Sequence, residues 1–120
     1  MPERLEPGNP AMLVVMHLDR ALEALLEVGT ERIEAHARDL SEQVSAGLEA
    51  QGLPVISPQA RKARSGNTCF LVEDAEGMHD RLAERKVLCW GEFRRVRIST
   101  HLYNGSADVE RFLEVLADVR

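Results

Sequence analysis

The stretch Phe93 to Leu116, FRRVRISTHLYNGSADVERFLEVL, holds two periodicities back to back. From Phe93 to Ser99 the chain alternates, with Val96 and Ile98 on one side and Arg95 and Arg97 on the other. That two-residue period is a strand with one buried face. After Asn104-Gly105-Ser106 the period lengthens. Val109, Phe112, Leu113 and Leu116 recur at helical spacing, with Val119 continuing the stripe. A half-buried strand followed directly by an amphipathic helix predicts a helix packed on one face of a sheet.

Working backward, Val87 to Trp90 reads as a strand and Gly91-Glu92 as the turn between it and Phe93. Asp74 caps a helix over Ala75 to Arg85, with Met78 and Leu82 facing inward. Asn67 to Glu73 alternates as a strand. Leu53-Pro54-Val55-Ile56 is an edge strand at best, because proline cannot donate to a ladder. Thr30 opens a long helix reaching Ala50, whose stripe is Ile33, Ala37, Leu40, Val44 and Leu48. Residues Ala11 to Glu27 form a first helix, ended by Gly29 and apolar on most sides, so it is expected to be buried on more than one face. Residues 1–10, MPERLEPGNP, form an irregular arm. The predicted order is ααββαββα: an N-terminal arm and one α+β domain over residues 11–120. Its sheet is small, mostly antiparallel and three- to four-stranded, with helices packed on one face.

Composition sets the outer bounds. The chain has 120 residues, 44% hydrophobic and 29% charged, the balance of one folded domain. Its net charge of −5 and lack of a basic run argue against nucleic acid or an anionic membrane as partner. No apolar stretch approaches the ~20 residues that span a bilayer. Cys69 and Cys89 have no metal-type spacing and read as reduced thiols of an intracellular protein. His17, His36, His79 and His101 contain no i, i+4 pair, so no helical metal motif is present.

The residues that bear chemistry are few. Arg95 and Arg97 share a strand face and read either as solvated charges or as a carboxylate clamp, because guanidinium binds carboxylate bidentately. His101 and Tyr103 follow as a polar loop or as the rim of a site at the strand end. Cys89 and Cys69 read as inert strand thiols before any nucleophilic role. Gly8-Asn9-Pro10 is a plain turn, or a turn offering amide groups to a phosphate at a helix start. Lys62 and Lys86, the only lysines, lie in polar segments that do not favour a Schiff-base role. There is no nucleophile elbow, glycine-rich phosphate loop or paired-carboxylate arrangement.

Several stretches nonetheless resemble, in order, the C-terminal part of class V aminotransferase-like enzymes. These are RLEPGNPAM, the helix pair running to GLPVISP, RSGNTCFLV, MHDRLAERKV and VRISTHLYNGSADVERFLEVL. That superfamily comprises fold-type I, pyridoxal-phosphate-dependent proteins, among them cysteine desulfurases, selenocysteine lyases, kynureninase-like and isopenicillin N epimerase-like enzymes. The resemblance implies the family's small C-terminal domain, without the large domain that carries the cofactor-binding lysine. By position, Arg97 corresponds to the arginine that binds the substrate α-carboxylate. Gly8 and Asn9 correspond to a turn that reaches the cofactor phosphate of a neighbouring subunit. No catalytic residue carries over. The desulfurase nucleophile lies on a loop between the last two strands, and Cys89 precedes that connection, which speaks against a desulfurase mechanism. The expectation is a domain that contributes carboxylate binding and dimer contacts, acts on an amino acid within a full cytoplasmic enzyme, is inactive alone and binds no pyridoxal phosphate alone. Its partners are a missing large domain or a second copy of itself. The alternative is a stand-alone α+β interaction module, a homodimer or a docking subunit.

Overall fold

The computed structural model describes Gly8 and residues 11–120. These fall into two compact units, one ending at Arg32 and the other running from Ile33 to Arg120. Helix α1, Met12–Val28, belongs to the first. Gly29 ends it at φ 93°, a left-handed conformation that glycine adopts without strain, and its N–H bonds back to the Leu25 carbonyl at 3.0 Å. None of the side chains of α1 is buried, against the expectation of a helix buried on more than one face.

The second unit follows the predicted architecture. Helix α2 starts at Thr30 itself and runs to Ala50. Strand β1 is Asn67–Leu71, helix α3 Ala75–Glu84, strand β2 Trp90–Glu92, strand β3 Arg95–Ser99 and helix α4 Ser106–Val119. The sheet is antiparallel throughout, in the order β1-β3-β2. The proline-bearing segment contributes one bridge, Val55 to Phe70, rather than a fourth strand. Its backbone bonds alternate as Ile56 N–H to the Cys69 carbonyl and Leu71 N–H to the Pro54 carbonyl. Pro54 thus sits at the edge and offers only its oxygen.

The core lies on one face of this sheet. Phe70, Val96 and Ile98 meet Leu40, Val44 and Leu48 of α2, Met78 and Leu82 of α3, and Phe112 and Leu116 of α4. Burial in β3 alternates along the strand, so the other face of the sheet carries no helix of this unit. Asp74 caps α3 as expected, its carboxylate accepting the Gly77 N–H at 2.9 Å. Asp108 does the reciprocal service at α4, accepting the Gly105 N–H at 2.9 Å. One cation is inside. Arg64 donates to the Ser41 carbonyl at 3.2 Å, the Ser45 hydroxyl at 2.5 Å and the Gln59 carbonyl at 3.0 Å.

The β2–β3 hairpin differs from the sequence expectation. Gly91 and Glu92 do not turn the chain. They are ladder residues, paired with Val96 and Arg95. The turn is Phe93-Arg94, both at positive φ, 52° and 61°. Two consecutive left-handed residues give the two-residue hairpin whose twist matches the flanking strands. This pair is neither glycine nor asparagine, so the usual signal for it is missing. Val87 to Cys89 precede the strand, and Phe93 and Arg94 lie outside β3. Gly91 is required by contact rather than by conformation: a Cβ there would meet the Ala75 carbonyl oxygen of α3 and come within 2.9 Å of His79 Cβ.

Candidate functional site

The uncovered sheet face is where the chemistry-bearing side chains gather. Register places three residues in one row across it: Cys69 of β1, Arg97 of β3 and Trp90 of β2. Directly opposed residues project from the same face. The adjacent rows are Leu71, Arg95 and Glu92 on one side and Asn67 and Ser99 on the other. The guanidinium carbon of Arg97 stands 5.5 Å from the centroid of the Trp90 ring, within cation–π range. Both Arg95 and Arg97 are exposed, while Trp90 and Cys69 are half-buried.

These two arginines are set apart electrostatically. Every other described arginine has a hydrogen bond or an ion pair. Examples are Arg61 with Asp39 and Glu42, Arg81 with Asp74, Arg85 with Asp118, and Arg94 with Glu73. Among the described residues, the side chains of Arg95 and Arg97 have neither. Guanidinium carries five donors in a planar fork, so Arg97 presents donors that this part of the chain leaves free.

The remaining sequence candidates lie elsewhere. His101 and Tyr103 are both exposed in the loop after β3, their rings stacked at 4.7 Å and tilted by 31°. Asn104 fixes that loop by accepting the His101 N–H at 2.9 Å and offering its carbonyl to His36 Nε2 at 2.8 Å. Cys89 sits just before β2, where burial pushes its thiol pKa up, the opposite of what a thiolate nucleophile requires. The β2–β3 connection is the two-residue turn alone and carries no cysteine. Lys62 and Lys86 are both exposed. Lys86 stands at the end of α3 beside a cavity of about 200 Å³, together with Arg111, Asp108 and Phe112. Gly8 is exposed and belongs to the first unit, while Asn9 lies outside the described residues. Among the described residues no cluster of histidine, cysteine or carboxylate side chains suits a metal ion, and no helix is long and apolar enough to cross a membrane.

Trp90 is the site residue that the sequence reading missed. Placing the turn at Gly91-Glu92 put Trp90 next to the turn and out of register with Arg97. Counting back from Phe93-Arg94 pairs Glu92 with Arg95 and Trp90 with Arg97.

Comparison with known proteins gives this geometry a family. The model of the kynureninase C-terminal domain matches residues 30–116. An uncharacterized aminotransferase of Schizosaccharomyces pombe is 25% identical over 114 residues, 94% of this chain and 28% of that protein. A probable cysteine desulfurase of Pyrococcus abyssi is 27% identical over 134 residues, 98% of this chain and 33% of that protein. The chain therefore spans about a third of the length of the curated relatives it matches. In fold it superposes on the apo cysteine desulfurase of Thermococcus onnurineus with a TM-score of 0.92 at 24% identity, over 98% of this chain and 33% of that one. Three antiparallel strands under helices on one face are the small-domain architecture of fold-type I pyridoxal-phosphate enzymes, as expected. The chain belongs to the kynureninase C-terminal domain family and matches the C-terminal part of class V aminotransferase-like enzymes.

Proposed function

We propose that this chain supplies the carboxylate-binding arm of a pyridoxal-phosphate-dependent enzyme acting on an amino acid, with Arg97 as the fork. The observation that carries this is the Arg97 guanidinium, unpaired among the described residues, on the sheet face that no helix of its own unit covers. A carboxylate meeting that fork makes two parallel charge-assisted hydrogen bonds, which orient an amino acid as well as hold it. Arg95, one row away, adds positive potential.

The cofactor, when bound, supplies the electron sink for bonds broken at the α-carbon. The residues described here do not suit it. Both lysines are exposed, and Asp108, the carboxylate beside Lys86, is occupied in capping α4. Cofactor chemistry is assigned to a larger domain, with Gly8 and Asn9 reaching its phosphate. The proposed setting is cytoplasmic. Cys89 has no part in the reaction in this reading, since burial disfavours its thiolate.

The unburied α1 supports the same reading. Leu13, Val14, Met16 and Leu26 are each more than 60% exposed. A helix so apolar is stable in water when another surface covers it. A larger cofactor-binding domain is the proposed cover. A second reading, a non-catalytic module that pairs with itself through α1, rests on the same side chains. Sedimentation separates them, because a clean monomer at high concentration contradicts self-pairing.

Calorimetry with a panel of L-amino acids tests the fork. Arg97→Lys keeps the charge but loses the planar bidentate geometry. Binding that falls with this change supports the assignment, and binding indifferent to it rejects the clamp.

A further inference from the structure

We infer that Trp90 is a positioning residue: its indole holds the Arg97 guanidinium by one face and leaves the donor-bearing edge free for a carboxylate. This rests on the carboxylate reading of Arg97 and adds to it the group that makes the fork competent.

An arginine on an open sheet face has a long, flexible side chain, and a ligand must immobilise it on binding. Trp90 removes part of that cost beforehand. The two residues are direct cross-strand partners, and the guanidinium lies 5.5 Å from the ring centroid. Stacking uses the face of the guanidinium, whereas carboxylate binding uses N–H groups in its plane, so the two contacts do not compete. Cys69 flanks Arg97 from the other strand, so neither direct cross-strand neighbour of Arg97 is a carboxylate that would draw the fork aside. The tryptophan is itself held from below. Gly91 lets β2 lie directly on α3, so Trp90 stands on a strand that cannot drift toward the helix.

A structural role and a positioning role separate experimentally. Trp90 is the only tryptophan in the chain, so its emission reports the stack with no ligand present. Arg97→Ala is expected to shift that emission and to increase its quenching by acrylamide. Glycine, the simplest carboxylate probe, is then titrated while the guanidinium resonance of Arg97 is followed by NMR. Trp90→Leu is expected to weaken glycine binding about two- to five-fold, the scale of one exposed cation–π contact. Trp90→Phe, which keeps a ring, is expected to recover most of the loss. Emission unchanged by Arg97→Ala overturns the stack. Glycine binding unchanged in Trp90→Leu overturns the positioning role while leaving the carboxylate reading intact. A stack with no glycine response in the parent chain refutes the carboxylate reading, and the positioning role with it.

Discussion

Replacing Gly91 with alanine adds one methyl group at the closest approach between sheet and helix. The new Cβ meets the Ala75 carbonyl oxygen inside van der Waals contact and lies 2.9 Å from His79 Cβ. A flexible side chain could move aside, but a helix carbonyl cannot without breaking its own bond. Overpacking of a core costs about 1–3 kcal/mol, and a backbone obstacle places this case in the upper half, about 2–3 kcal/mol. With a urea dependence of about 1–1.5 kcal/mol per molar for a domain this small, the unfolding midpoint falls by about 2 M. Relief of the clash requires β2 to rise from α3, which carries Trp90 away from its place beside Arg97. Urea unfolding followed by circular dichroism gives the stability, and Trp90 emission in the folded state gives the displacement. Leu88→Ala is the control, since Leu88 is 86% exposed and its truncation is expected to stay within about 0.5 kcal/mol. An unchanged midpoint for Gly91→Ala refutes the claim that this strand rests on the helix backbone.

Leu48, fully buried between α2 and the sheet, should cost about 2–5 kcal/mol on truncation to alanine, read from the same unfolding curves. Arg64→Ala removes the donor to the Ser45 hydroxyl and one of the donors to the Ser41 carbonyl, and should cost about 1–3 kcal/mol. Arg64→Met should be milder, because the buried Nε of Arg64 already lacks a partner, and equal loss in both variants would contradict that. The Asp74 carboxyl is held below its ordinary pKa by the Gly77 N–H and then by Arg81. Its contribution is therefore present above the usual carboxylate range and lost as pH falls through the lowered value. Asp74→Asn should flatten that acid limb in unfolding midpoints taken at stepped pH, and an identical acid slope would refute the linkage.

The alternation of Val96 and Ile98 against Arg95 and Arg97 placed β3 and its two faces correctly, because a period of two reads directly as burial. The stripes of α2 and α4 were legible for the same reason. The turn was not. Phe93 and Arg94 adopt left-handed backbone without glycine or asparagine, so the local signal pointed to Gly91, whose real duty is the close approach to Ala75. That displacement hid Trp90 from the site. The burial of Arg64 was not legible, because it depends on partners from α2 that no local pattern reveals. The apolarity of α1 was legible, but the exposure of its described side chains was not, since a local pattern does not say what packs against a helix.

The central claim is that these residues act as one part of a larger pyridoxal-phosphate enzyme. Native sizing of an extract from the source cells, with an antibody to this chain, tests it most directly. The account predicts a species at least about three times the 13.4 kDa of these residues, given that the chain spans about a third of its relatives, and that species should carry pyridoxal phosphate. A species of 13.4 kDa, or a dimer of it without the cofactor, contradicts the account.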